Sequence, residues 1–210
     1  MEIMDEYKLE VFKDCFDSGE IRKFRELMMY YECAMLEVKT KLDVLNKELA
    51  LKKSRNPFES IKCRIKTPES IVEKLARRGI EFSVDNIEKE LNDIAGIRVI
   101  CSFPDDIYEL IDYLLEQDDI RLIAIKDYIK NPKPNGYRSV HLIIEVPIFL
   151  TDMKKPMRVE VQFRTIAMDF WASLEHKIYY KFEGNAPDYI SRDLRECAKM
   201  VSELDEKMLQ

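Results

Sequence analysis

The sequence has no Cys-x-x-Cys pair and only two histidines, His141 and His176. Its five cysteines (Cys15, Cys33, Cys63, Cys101 and Cys197) are odd in number and widely spaced. That pattern argues against a disulfide frame or a cysteine zinc site, and it fits reduced thiols in a cytoplasmic protein. Two histidines alone do not make a histidine metal site, and His176 reads as a packing or surface residue. No apolar run approaches the ~20 residues of a membrane span. The first ten residues, MEIMDEYKLE, are acidic and lack an apolar core, so no signal peptide is expected. With 34 basic and 40 acidic residues the net charge is −6, which excludes a global electrostatic grip on nucleic acid. An anion site must therefore be a local basic patch. Nothing is low in complexity, and 46% hydrophobic content over 210 residues supports one domain, or one with a helical extension.

What is present begins with a long helical seam. Residues 1–16 read as a short helix stopped near Ser18-Gly19. Ile21, Phe24, Met28, Tyr31, Met35, Val38, Leu42, Leu45 and Leu49 then recur in alternating steps of three and four. This is a period near 3.5, and it predicts a helix from Ile21 to Lys53 that ends before Asn56-Pro57. The seam serves either the chain's own domain or a second subunit, and the pattern alone does not decide between them.

A basic strand follows. In residues 60–66, Ile61, Cys63 and Ile65 fall on one face and Lys62, Arg64 and Lys66 on the other. Thr67 is a fair N-cap and Pro68 a fair first residue for the next helix, which carries Ser70 and Lys74 on one face and stops at Gly79. Cations beside a helix N-terminus suit phosphate oxygens. An edge strand protected by lysines is the plainer alternative. Asp93 then stands at the mouth of the apolar run Ile94–Cys101, in which Arg98 is the lone charge. Burying an unpaired guanidinium costs several kcal/mol. Arg98 therefore either emerges into a pocket or belongs to a structural Arg–Asp pair. A helix over Asp105–Gln117 and a strand over Arg121–Ile129 come next.

The loop from Lys126 to Pro134 is rich in lysine and proline. It delivers Asn135-Gly136-Tyr137 and His141 onto the alternating strand Val140–Val146. Lysines suit phosphates, and a tyrosine face suits a planar base. In that role the ring matters more than the hydroxyl. A hairpin with a solvated basic tip is the alternative. In Met157–Arg164, Val159, Val161 and Phe163 alternate with Arg158, Glu160, Gln162 and Arg164. Such a polar face lies against solvent or lines a site. Asp93 and Glu160, two isolated carboxylates beside phosphate-binding cations, match what Mg²⁺ on a nucleotide takes from a protein. Thr165 then caps a helix over 166–181, the chain breaks at Gly184–Pro187, and a last amphipathic helix closes it.

Four blocks, RIKTPESIVEKL, NDIAGIRVICSF, KDYIKNPKPNGYRSVH and RVEVQFRTIAMDFWASLEHKIYY, stand in this order. They resemble the RelA/SpoT-type synthetase domain, over roughly residues 55–210, and the chain is similar in extent to the small alarmone synthetases. The resemblance implies an α+β fold, a mixed five-stranded sheet flanked by helices and distantly similar to nucleotidyltransferases, with N- and C-terminal helical extensions. It implies residues 1–54 as assembly helices, 55–183 as the catalytic domain and 184–210 as a helix packing on it. The implied activity is transfer of the β,γ-pyrophosphate of ATP to the ribose 3′-OH of GDP or GTP, with GMP serving in some small members. Arg64 and Arg98 would sandwich the adenine, and Lys66, Ser70 and Lys74 would hold the ATP phosphates. Asp93 and Glu160 would bind Mg²⁺, with Glu160 also the candidate general base. Tyr137 would stack on the guanine, with Asn135, His141, Gln162 and Ala172 around the acceptor and Lys126 and Lys133 on its phosphates. A homotetramer is implied as well.

Two features depart from the longer members of that family. Their Arg-x-Lys-Asp or Glu-x-Asp-Asp tetrapeptide reads Ala124-Ile-Lys-Asp127 here, so its first charge is missing. No His-Asp dipeptide occurs, and no hydrolase or ribosome-sensing domain is expected in a chain of this length. Alarmone hydrolysis and a ribosome requirement are therefore not expected. A nucleotide- or RNA-binding regulatory module on a decayed synthetase fold is the alternative, and retention of both Asp93 and Glu160 argues against decay.

Overall fold

The structure is a computed structural model that describes residues 18–182 and 187–209. The short helix expected over residues 1–16 lies outside them, as does most of the break expected at 184–187. The elements in order are α1 Ser18–Lys52, β1 Phe58–Ile65, α2 Pro68–Arg77, α3 Val84–Glu90, β2 Ala95–Cys101 and α4 Pro104–Leu115. They continue with β3 Arg121–Asp127, β4 Val140–Phe149, β5 Lys154–Thr165, α5 Ile166–Lys181 and α6 Asp188–Leu209. Among the described residues no helix is long and apolar enough to cross a membrane.

Ser18-Gly19 reads as a stop but is helical in α1. A helical glycine costs only about 1 kcal/mol, and the packed seam that follows outweighs it. Phe24, Met28, Tyr31, Val38 and Leu42 are each at most 2% exposed. Helix α1 lies across β1, β2, β4 and β5, so the seam belongs to the chain's own core.

The strands form one mixed sheet in the order β1-β2-β5-β4-β3, with β2 and β5 parallel and the other pairs antiparallel. Register decides which side chains share a face. Lys62 pairs with Arg98, Arg98 with Gln162, Gln162 with His141, and His141 with Lys126, so one polar row crosses all five strands. The neighbouring row reads Arg64, Gly96, Glu160, Ile143, Ala124. A period of two puts both rows on the same face. The opposite face carries Ile97, Val99, Leu142, Val161 and Phe163, all buried in one cluster with the α1 seam. A fully buried side chain of this kind contributes roughly 1.5–3 kcal/mol. The apolar face therefore holds the fold together, and the polar face is free to carry charge.

Candidate active site

The phosphate-suited corner is built where β1 runs into α2. Thr67 caps α2, its Oγ1 accepting from the Ser70 backbone N–H at 3.4 Å, and Pro68 opens the helix. Lys66 precedes the cap, and Lys74 lies one turn inside. Both ammonium groups reach Asp93 Oδ2, at 3.1 Å and 2.6 Å respectively. Burial pushes the Asp93 carboxyl up, but Lys74 and Lys66 outweigh it and hold it below the usual range. Its other oxygen, Oδ1, is buried with no hydrogen-bond partner.

Glu160 enters from β5, beside Gly96 of β2. Its Oε2 accepts from Gln162 Nε2 at 2.7 Å, and Oε1 lies 3.5 Å from His141 Nδ1. Burial pushes this carboxyl up, His141 and Gln162 pull it further down, and the Asp93 charge opposes them; the net is below the usual range. Both carboxylates are therefore ionised at neutral pH. Among the described residues no cluster of three or more His, Cys, Asp or Glu side chains comes together. Two carboxylates, one with an orphaned buried oxygen, suit an ion that takes its remaining ligands from phosphate and water.

Arg64 and Arg98 line a cleft of about 270 Å³ with Gly96, Glu160 and Gln162. Arg64 lies over Gly96 of β2, where a Cβ would meet its Cγ at 3.7 Å, an ordinary contact. Both readings of Arg98 hold at once. It lines the cleft, and its Nη1 donates to Asp169 Oδ1 at 3.3 Å.

The Lys126–Val140 loop is a built structure. Asp127 Oδ1 accepts from the backbone N–H groups of Ile129 and Lys130, and Tyr128 N–H donates to Ser139 O at 2.8 Å. Asn135 Oδ1 accepts from Tyr137 N–H at 3.1 Å, and its Nδ2 donates to Glu175. Gly136 has φ +93°, and a Cβ there would lie 2.5 Å from Ala198 Cβ on α6. Backbone strain and lack of space thus both require glycine. Trp171 Nε1 donates to Leu194 O at 2.9 Å and fixes α6 against α5 behind the loop. Lys133 Nζ sits 4.8 Å from the centroids of both Tyr128 and Tyr137.

The Tyr137 hydroxyl is not idle. Arg164 Nη2 donates to it at 2.7 Å, and His141 Nε2 lies 2.9 Å away. Arg164 Nη2 also reaches Gln162 Oε1 at 3.3 Å, and its Nη1 donates to Asp169 Oδ1 at 2.9 Å. Arg164, Tyr137, His141, Glu160 and Gln162 thus close a ring. Since Arg164 donates to the hydroxyl oxygen, the hydroxyl proton can point at Nε2, leaving the Nδ1 proton for Glu160.

The structure brings together Arg64, Lys66, Lys74, Asp93, Arg98, Glu160, Gln162, His141 and Tyr137. Ser70 lies at the α2 start with its Oγ accepting from Thr67. Ala172 lines a second cleft of about 420 Å³ with Arg64, Arg98, Tyr137 and Arg164. Lys126 is exposed at the far end of the polar row, and Asn135 shapes its own loop. Sequence reasoning missed the roles of Arg164, Asp169 and Tyr128. Arg164 was legible only as a member of the polar face of β5; its near-complete burial, 5% exposed, which marks it as more than a solvated arginine, is visible only in the structure. Asp169 had none, since an acidic residue in a first helical turn is ordinary.

Residues 63–185 match the region found in RelA / SpoT proteins. The chain belongs to the RelA/SpoT family. It is 47% identical over 182 residues to the GTP pyrophosphokinase YwaC of Bacillus subtilis, covering 87% of each chain. Its fold matches the crystal structure of small alarmone synthetase 2 from Bacillus subtilis with a TM-score of 0.80 at 45% identity, covering 88% of this chain and 95% of that one. It matches small alarmone synthetase 1 from the same organism, bound to its product pppGpp, with a TM-score of 0.79 at 36% identity, covering 85% and 90%. The α+β fold, with its mixed five-stranded sheet and terminal helices, is therefore that of this RelA/SpoT group.

Proposed function

We infer that this RelA/SpoT chain is a (p)ppGpp synthetase, transferring the β,γ-pyrophosphate of ATP to the ribose 3′-OH of GDP or GTP. The observation that carries this is the pair of ionised carboxylates, Asp93 and Glu160, between a lysine-lined helix start and an arginine cleft. Arg64 and Arg98 hold the adenine, since planar guanidinium groups stack on a ring. Lys66, Ser70 and Lys74 take the ATP phosphates. Tyr137 faces the guanine, with Asn135, His141, Gln162 and Ala172 around the acceptor. Lys126 and Lys133 meet the acceptor's phosphates.

The 3′-oxygen attacks the β-phosphorus, the bond to the α,β-bridging oxygen breaks, and AMP leaves. Glu160, ionised and oriented by His141 and Gln162, accepts the 3′-OH proton. Asp93 and Glu160 are the residues that would hold Mg²⁺, and the orphaned Asp93 Oδ1 supports this. When bound, such an ion neutralises charge on the phosphate oxygens. Lys66 and Lys74 keep Asp93 in place meanwhile. A cytoplasmic location fits the reduced thiols. Assembly as a homotetramer is supported by Met29, Leu36, Val44 and Leu51, which are all exposed on α1.

Thin-layer separation after incubation with γ-labelled ATP and GDP tests the reading. Label should move to ppGpp with release of AMP. Asp93→Asn and Glu160→Gln should each lower kcat by at least ~10³-fold, about 4 kcal/mol. The double variant should be little worse, because residues acting as a unit are non-additive. A folded wild-type chain that transfers nothing to GMP, GDP or GTP would sink this reading.

A further inference from the structure

We propose that Asp169 is a positioning residue that ties the ATP side of the site to the acceptor side. The inference rests on the functional reading above for the identity of the two sides. Its structural content is one carboxylate oxygen, Asp169 Oδ1, receiving Arg98 Nη1 at 3.3 Å and Arg164 Nη1 at 2.9 Å. Arg98 is on β2 and lines the ATP-side cleft. Arg164 is on β5 and holds the Tyr137 hydroxyl at 2.7 Å.

Three further observations support the assignment. The two guanidinium groups repel, since the Arg164 charge opposes that of Arg98 while Asp169 favours it. The Nε atoms of both arginines are buried without a partner; among the described residues Arg98 is anchored by Asp169, and Arg164 by Asp169, Tyr137 and Gln162. Asp169 itself is well fixed. It lies in the first turn of α5, where a helix start favours a carboxylate. Thr165 caps that turn, accepting from Met168 N–H at 3.1 Å and donating to Asp205 Oδ2 at 2.6 Å. A shift of α5 therefore moves both arginines together. Asp169 acts on the nucleotides through Arg98 and Arg164 and not by touching them.

The experiment measures dissociation constants by calorimetry for a non-hydrolysable ATP analogue and for GDP, together with melting temperature. Arg98→Lys should weaken the ATP analogue alone, and Arg164→Lys should weaken GDP alone. Asp169→Asn should weaken both by about tenfold, the size of a lost charge-assisted hydrogen bond. It keeps an acceptor oxygen and similar volume, so the chain should fold. Asp169→Glu, which retains the charge at a longer reach, should recover part of the loss. Unchanged affinities in Asp169→Asn with a lowered melting temperature would make Asp169 merely structural and overturn the proposal. Weakening of one nucleotide only would overturn it as well. Wild-type protein that binds both nucleotides but transfers nothing would refute the functional reading alone, and the dissociation constants would still decide the role of Asp169.

Discussion

The two sides of the site are made differently. The ATP side is ionic and rests on regular elements: Lys66 at a strand end, Lys74 on α2, Arg64 and Arg98 on β1 and β2, each near a carboxylate or an open cleft. The acceptor side is aromatic and rests on a loop. Tyr128, Tyr137 and His141 meet edge to face, with ring centroids 5.3–6.0 Å apart, and Lys133 lies near two of those rings. Phosphate charge needs cations at fixed points, which strands and a capped helix supply. A purine base needs a flat face that can adjust, which a loop supplies. The loop's freedom is limited by Gly136 pressing on Ala198. The regular scaffold thus holds ATP, and the loop seats the acceptor.

Substitutions should therefore divide by side. Among the substitutions that act on one side, Tyr137→Ala should have the largest effect, raising KM for GMP, GDP and GTP alike by roughly 5- to 150-fold, ~1–3 kcal/mol of lost stacking. KM for ATP should barely move; equal loss for both substrates would erase the contrast. Arg98→Lys comes next, because it keeps the charge and loses the stacking plane, and KM for ATP should rise about tenfold. Unchanged ATP binding would reduce Arg98 to the partner of Asp169. Tyr137→Phe should cost about fivefold in acceptor kcat/KM, near 1 kcal/mol for the lost hydroxyl bonds. The sequence alone makes that change mild, since the ring remains; its bonds to Arg164 and His141 make it measurable. Activity within twofold of wild type would return the hydroxyl to a passive role.

The smallest effect is expected at Asp205, behind both sides. Burial lifts its carboxyl above the usual range, and the Thr165 hydroxyl and Arg138 offset this only in part. A folded pKa above the unfolded one gives a contribution fully present below the unfolded pKa and lost as pH rises through the folded value. Asp205→Asn keeps an acceptor for Thr165 and removes the charge. Its melting temperature at neutral pH should match or exceed wild type by a few degrees, under about 1 kcal/mol, and the difference should vanish at acid pH. A lower melting temperature at neutral pH would show that the charged Asp205–Thr165 bond is stabilising.

Most of the fold was legible because its signals are local. The α1 seam, the alternation of β1 and β5 and the Thr67-Pro68 cap all lie within a few residues of what they specify. Asp93 and Glu160 were legible as isolated carboxylates beside apolar runs. Which partner the α1 seam served was not, because a 3.5 period is the same inside a domain and between subunits. Arg164 and Asp169 stayed hidden because their meaning lies across elements, in the register that sets Arg98 beside Gln162 and in the angle at which α5 leaves β5. Lys133 was legible as a loop cation, but its ring contacts, and Tyr128 itself, were hidden because a loop's ring contacts carry no periodicity.

The Gly136–Ala198 contact has a consequence for the order in which the protein becomes competent. During synthesis Tyr137 is made long before Ala198, the surface against which its loop is pressed. The ATP side is complete once β5 has paired with β2 and α5 has brought Asp169 to Arg98, but the acceptor loop has no backing until α6 has left the ribosome and docked. A nascent chain, or one that ends before α6, thus holds ATP before it seats an acceptor, and catalytic competence waits on α6.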